Sequence, residues 1–341
     1  IGAASAFIES TLAQCYKEKH GDNWVGGPAY YIQKALGSRF FGVVFAVLLI
    51  ACFAYGFNAL QAYNAGSALQ YYLPGYSESV WPAVVGAALA LLTGLCIFGG
   101  VRRISAITSG IVPVMAAIYI ALGLFITVKN IGQVPYMLSM IVSQAFDPKA
   151  MFAGIGASCI MQGIKRGLYS NEAGMGSTPH AHAVAKVKYP AQQGFVAIVG
   201  VFVDTFIVLN MTAFVIFVTN SIDGSTTGIA LTQKAFESGL GSFGITFVAI
   251  CLFFFAFSTI IGWYFFGEQN IKYLFGTKGT TPYRLIVMGF IVLGSVLQVD
   301  LVWELADMFN GLMVLPNLIA LIGLSKIVSM ALRDYDANNP R

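Results

Sequence analysis

Charge is what this sequence has least of. Only 10% of its 341 residues are Asp, Glu, Lys or Arg, whereas 57% are hydrophobic and 14% aromatic. Soluble domains carry about 25% charged residues, and a soluble fold of this composition would leave long apolar runs facing water. Cysteine is also sparse. Cys15, Cys52, Cys96, Cys159 and Cys251 lie in or beside apolar stretches with no CxxC spacing, which argues against a zinc site or a disulfide framework. GxSxG, Walker A and HExxH are missing, so hydrolase, pump and zincin chemistry find no support. There is no repeated filter motif of the kind an ion channel needs. A basic start leading into a short apolar run and a small-residue cleavage site, the features of a cleavable signal, is absent from these residues too. The excess of 19 Lys+Arg over 15 Asp+Glu is too small to suggest a nucleic-acid partner.

What the sequence has in quantity is apolar runs, with a mean hydropathy of +0.75. Runs long enough to cross a bilayer, which takes roughly 20 residues, lie at about 40–62, 80–100, 104–127, 192–219, 243–267 and 283–299. Two more, 150–185 and 302–328, are interrupted by Gly, Pro or polar residues. With a short apolar stretch at 1–16, these predict nine helices in an all-α polytopic membrane protein, a single domain over 1–341. The first stretch starts at Ile1 and is too short to span, so it reads as the remainder of a truncated N-terminus. Three amphipathic stretches, Gly27 to Leu36, Val134 to Phe146 and Ile229 to Phe236, are expected to lie at the interface.

The cations are unevenly placed. With the 17–39 loop set inside, one face holds Lys17, Lys19, Lys34, Arg39, Arg102, Arg103, Lys186, Lys188, Lys272, Lys278, Arg284, Lys326, Arg333 and Arg341. The opposite face holds Lys129, Lys149 and Lys234, and Lys165 and Arg166 fall inside a broken segment. The positive-inside rule therefore puts the C-terminus in the cytoplasm.

Polar groups at membrane depth mark candidate function, because a charge there costs roughly 2.5 kcal/mol or more. In 150–185, Gly167, Gly174, Gly176 and Pro179 break the helical period around Ser170, Asn171 and Glu172. A helix N-terminus there would offer N–H groups to an anionic substrate; alternatively, the segment is a capped cytoplasmic loop. In 300–326, Glu304, Asp307 and Asn310 form a polar stripe, and Asn310–Gly311 and Pro316 are expected to interrupt the helix. The stripe either lines a pathway or faces an aqueous vestibule. Asn58 and Gln61, flanked at helical spacing by Tyr55 and Asn64, suit a zwitterionic amino acid or act as interhelical glue. Ser258 and Thr259 offer hard hydroxyl oxygens to a small cation, or else bond back to the preceding turn. Trp263 shares the Thr259 face and could wall a pocket there. Glu9 and Asp204 are coupling groups or structural acids. His180 and His182, two apart, point away from each other on a helix, which disfavours a metal site.

The run KRGLYSNEAGMGSTPHAHAVA (165–185) strongly resembles the signature of the alanine or glycine:cation symporter family. The resemblance continues through QGFVAIVGVFVDTFIVLNMTA (193–213) and DLVWELADMFNGLMVLPNLIALIGLS (300–325), and VGGPAYYIQKALG (25–37) is similar to that family's first cytoplasmic loop. The resemblance implies a five-plus-five inverted-repeat amino-acid transporter fold, here lacking its first core helix with the Gly-x-Gly-Asn break. Residues 1–16 then stand for the second core helix and 150–185 for the sixth. It implies sodium-coupled symport of alanine or glycine by alternating access across the cell membrane, with no cofactor beyond the co-transported sodium, and no enzyme activity. It favours Gln61, Thr259 and Trp263 as substrate contacts, with Asn58, Asn171 and Gly174 beside them, and Ser258 with Thr259 at a sodium site. A chain without the first core helix would hold about half of that site, so a non-transporting fragment is the rival expectation, and an ion channel a more distant one.

Overall fold

The computed structural model describes residues 1–20, 23–147, 155–297 and 299–339. Lys149, Arg341 and the start of the broken segment at 150–154 lie outside them. Five segments are long and apolar enough to cross a membrane: Arg39–Ser67, Gly100–Lys129, Pro190–Val218, Ser242–Val296 and Asp300–Gly323. Trp81–Ile97 is apolar but shorter. Ser242–Val296 is two helices, because Gly276 at φ +68° ends the first, a conformation open to glycine at little cost.

In chain order the helices are α1 Gly2–Tyr16, α2 Pro28–Ala35, α3 Arg39–Ile50, α4 Asn58–Ser67, α5 Trp81–Ile97, α6 Gly100–Lys129 and α7 Val134–Ala145. They continue as α8 Ile155–Asn171, α9 Pro179–Val184, α10 Pro190–Phe202, α11 Asn210–Val218 and α12 Gly228–Leu240. The last four are α13 Ser242–Phe275, α14 Thr280–Val296, α15 Val299–Gly323 and α16 Ser325–Asn338. A short antiparallel hairpin, β1 Glu18–His20 and β2 Asn23–Val25, joins α1 to α2.

The 34-residue α13 is the axis of the bundle, touching α3, α4, α6, α12 and α14. Of the apolar window in the α13–α14 segment 61% is buried, against 17% in α10–α11 and 22% in α6, which leave most of that window exposed. One apolar core joins α1, α2, α3, α13 and α15 through Leu12, Tyr31, Phe45, Phe53, Trp263 and Met313. A second joins α4, α5, α13 and α14 through Ala62, Leu89, Ile260, Tyr264 and Val287. Lipid tails are as apolar as leucine, so close backbone approach holds such contacts. At Gly294 an added Cβ would meet the Ala59 Cα at 2.2 Å, so α14 seats directly on α4.

Several details depart from the sequence expectations. Arg39–Ser67 and Pro190–Val218 are not uniform α-helices, since each contains a π-helical stretch, Ala51–Phe57 and Val203–Leu209. The wider turns shift the helical phase, so Tyr55 packs on Phe290 of α14 (5.0 Å between ring centroids) instead of continuing the Asn58–Gln61 face. The α2 segment, expected at the interface, is inserted in the core, with Ala29, Tyr31 and Ile32 fully buried. In α12, Ala235 and Phe236 are likewise buried, against α6 and α13, whereas α7 is largely exposed. Asn310–Gly311 and Pro316 do not interrupt α15, which ends at Gly323. The polar stripe on α15 divides in three. Glu304 is exposed, Asp307 pairs with Arg166 at 2.6 Å and Lys165 at 3.4 Å, and Asn310 is buried with its Oδ1 unpartnered.

Candidate functional site

The interrupted segment is a true helix break in the bundle interior. α8 stops at Asn171 and α9 begins at Pro179. Between them Glu172, Gly174 and Gly176 take φ of +52°, +88° and +84°, and residues 172–177 are buried. Gly176 is obligatory by space as well as by dihedral, because an added Cβ would sit 2.6 Å from Pro28 and 2.8 Å from the Phe45 ring. The capped-loop reading of this stretch therefore fails on burial.

Backbone groups freed at such a depth need partners, and α1 supplies them. The fully buried Glu9 accepts hydrogen bonds from Gly174 N (3.1 Å) and Gly176 N (3.2 Å). Asn317 of α15 donates to Glu9 Oε2 (3.0 Å) and to Gly174 O (2.9 Å), and Tyr31 of α2 donates to Asn317 Oδ1. Further along α1, Gln14 and Lys17 donate to Ala185 O at the end of α9, both at 2.9 Å. Three elements, α1, α2 and α15, thus converge on the break. The group that meets the freed N–H groups of Gly174 and Gly176 in this structure is the protein's own Glu9 carboxyl group.

On the other side of the break, Glu172 accepts from the Trp263 indole Nε1 and from Ser177 Oγ. Trp263, 5% exposed, belongs to an aromatic cluster: Phe57 at 4.9 Å, Phe53 at 5.6 Å and Tyr169 at 5.7 Å. Gln61 reaches the same cluster, donating to the Tyr169 hydroxyl at 2.9 Å. Trp303 closes one end, 5.3 Å from Tyr169, with the Arg166 guanidinium 3.9 Å above its ring. One turn before Gln61, Asn58 is fully buried and both atoms of its amide lack a hydrogen-bond partner. An unpaired buried amide costs about 1–3 kcal/mol per group, so Asn58 is the most ligand-hungry side chain near the cluster.

The other candidates are placed differently. Ser258 is buried and donates to Phe255 O at 3.0 Å, the back-bonded arrangement, which leaves its oxygen lone pairs free to accept a cation. Thr259 is half-buried on the Trp263 face of α13. Asn171 turns toward the π-helical stretch after α10, 2.7 Å from the Thr205 hydroxyl, and Ser170 donates to Asp204 at 2.7 Å. Gly174 is held by Glu9 and Asn317 as described. The structure therefore brings Gln61 and Trp263 to one aromatic cluster, and holds Asn171 and Gly174 with partners on the π-helical stretch after α10, on α1 and on α15. His180 Nδ1 lies 2.7 Å from Ser177 O and its Nε2 lies 2.8 Å from Asn270 Nδ2, so that ring braces the break against α13. His182 bonds separately to Gln193. Sequence reasoning missed Tyr169, Asn317 and Tyr31. The only signal for Asn317 was an amide beside Pro316 in an apolar run, and Tyr31 looked like one more aromatic.

Comparison with known proteins gives the family of this chain. The sodium:alanine symporter family profile matches residues 1–341. The amino-acid carrier protein AlsT of Bacillus subtilis is 43% identical over 336 residues, covering 98% of this chain and 71% of the relative. The probable sodium/glutamine symporter GlnT of the same organism is 42% identical, over 98% of this chain and 70% of the relative. The sodium/alanine symporter AgcS of Methanococcus maripaludis is 37% identical, over 96% and 73%.

Proposed function

Because this chain belongs to the sodium:alanine symporter family, we propose that it moves a small neutral amino acid, alanine or glycine, inward with sodium by alternating access. It is a multi-pass membrane carrier and not an enzyme. The observation that carries the reading is the buried helix break with an aromatic and amide wall beside it, Trp263 on Glu172 and Gln61 on Tyr169. A polar break enclosed by apolar spans offers a zwitterion fixed dipoles away from water, and the cost of desolvating those groups is a reason to expect function there.

In this reading Asn58 and Gln61 supply amide contacts to the substrate, Thr259 a hydroxyl contact, and Trp263 the wall that excludes long side chains. Asn171 and Gly174 contribute once the break rearranges. Sodium, as co-transported cargo, takes the hydroxyl oxygens of Ser258 and Thr259 together with backbone carbonyls. Coupling is then a binding linkage: ion and substrate each favour the conformation that the other binds more tightly. The five-plus-five inverted repeat and the cytoplasmic C-terminus belong to the same proposal. The extensive packing of α1 along α10 and the cation bias of the loops support them.

The test is uptake of labelled alanine into proteoliposomes under an inward sodium gradient, with potassium replacing sodium in a parallel set. Unlabelled glycine and glutamine serve as competitors. Sodium-dependent uptake inhibited by glycine supports the reading. Uptake blocked by glutamine but not glycine would move the substrate class to amides, as in the name of one relative. Equal uptake in potassium from folded, inserted protein would end the sodium-coupled reading.

A further inference from the structure

Away from the helix break, where α3 begins, a polar cavity of about 280 Å³ is lined by Glu18, His20, Tyr30, Gln33, Lys34, Arg39, Lys272 and Tyr273. Its charge is unbalanced. Lys34 pairs with Glu18 at 2.9 Å, and Lys272 pairs with Glu268 at 3.1 Å, a carboxylate it shares with Arg284. Arg39 has neither an ion pair nor a side-chain hydrogen bond among the described residues. Three cations, Lys34, Arg39 and Lys272, therefore face a single lining carboxylate, Glu18, around this cavity. The second observation is independent of charge: Tyr30 is 4% exposed, and its buried hydroxyl has no hydrogen-bond partner. A buried hydroxyl is rarely left unpaired, and here it belongs to a residue lining a cationic cavity. The neighbouring Tyr273 hydroxyl is already used, donating to Gln33 at 2.6 Å.

The position of the cavity selects its occupant. Arg39 is the first residue of a 29-residue apolar span, so the cavity opens at the level where a bilayer presents its headgroups. Phe40 and Phe41 follow at once and are 71% and 49% exposed, placing apolar surface next to the cations on the acyl-chain side. We propose that this cavity binds the phosphate headgroup of an anionic phospholipid, with Arg39 and Lys34 on the phosphoryl oxygens and the Tyr30 hydroxyl as a neutral donor, while Phe40 and Phe41 lie against the chains. Arginine suits this task because its fixed fork matches two phosphate oxygens. The assignment is independent of which solute the protein carries.

Native mass spectrometry of the detergent-solubilised protein, titrated with phosphatidylglycerol or phosphatidylcholine of the same chains, tests it. The parent is expected to prefer phosphatidylglycerol. Arg39→Gln should weaken phosphatidylglycerol about fivefold and Tyr30→Phe about threefold, with phosphatidylcholine unchanged. Arg333→Gln, which removes an exposed cation of α16, should change neither lipid. Melting curves establish that each variant is folded, and two mild substitutions keep the test decisive if one of them unfolds. Equal binding of the two lipids by the parent overturns the proposal, and so does a folded Arg39→Gln that retains the parent preference. If inorganic phosphate stabilises the parent through Arg39 while phosphatidylglycerol binds no better than phosphatidylcholine, the cavity is a free-phosphate site and the lipid assignment is wrong.

Discussion

Two segments of this protein carry the same disruptive sequence signals and respond in opposite ways. Residues 165–185 contain Gly167, Gly174, Gly176 and Pro179 around a polar cluster, and the chain leaves the helix for seven residues between α8 and α9. Residues 300–323 contain Asn310, Gly311 and Pro316, yet α15 runs through all three. The difference lies in the partners available. At the break, Glu9 takes two backbone N–H groups, Asn317 a carbonyl, and Glu172 and Ser177 satisfy each other. An added Cβ at Gly311, by contrast, would meet nothing within 4 Å. Around Gly311 the segment keeps its backbone polar atoms paired along the helix, and it tolerates the one bond lost at Pro316.

The strongest way to break this contrast is to remove the partner. Glu9→Leu leaves Gly174 N and Gly176 N without their acceptor, at about 1–3 kcal/mol each, and leaves the Asn317 amide only Gly174 O. The melting midpoint should fall by roughly 10 °C or more, and little folded protein should reach the membrane fraction, as read by fluorescence-detected size exclusion. A midpoint within about 2 °C of the parent would show that the break holds itself open without α1.

Paired glycine substitutions sharpen the comparison. Gly176→Ala forces a Cβ against Pro28 and Phe45 at positive φ, and should lower the midpoint by roughly 5 °C. Gly311→Ala, in open space within a continuous helix, should leave it unchanged or raise it slightly. Equal effects at the two positions would remove the distinction drawn between the segments.

On the functional side of the break, Trp263→Leu and Thr259→Val should each weaken alanine binding about tenfold while the protein remains folded. That loss corresponds to one or two buried polar contacts. Isothermal titration in the presence of sodium measures it, and parent-like affinity in both variants would displace the proposed pocket from α13. A small loss is expected at Asp307→Asn. Its partners Arg166 and Lys165 are partly exposed, so the loss should be about 1 kcal/mol or less and should shrink further at high salt.

Much of the fold was legible because bilayer-crossing helices announce themselves by length and hydropathy. The nine expected segments correspond to α1, the spans at 39–67, 81–97 and 100–129, the broken α8–α9, and 190–218, 242–275, 280–296 and 299–323 among the described residues. The break at Glu172–Ser177 was legible for a similar local reason, since Gly174 and Gly176 are the residues that tolerate its dihedrals. The π-helical stretches were not, because ACFAYGF and VDTFIVL are ordinary helical sequence whose wider turns are set by neighbouring helices. Nor was the embedding of α2. Its amphipathic pattern specifies an apolar face, but not whether lipid or protein will cover it.

The sequence by itself determined the class of solvent, the order of the apolar segments, the site of the helix break and the family, since each follows from composition, period or a contiguous motif. Only the tertiary structure decided that Glu9, Asn317 and Tyr31 would meet at that break, that Trp263 would bond Glu172, and that Pro316 would stay inside a helix. Those outcomes depend on which polar groups, distant from one another in the chain, come close enough to replace the water that a bilayer interior lacks.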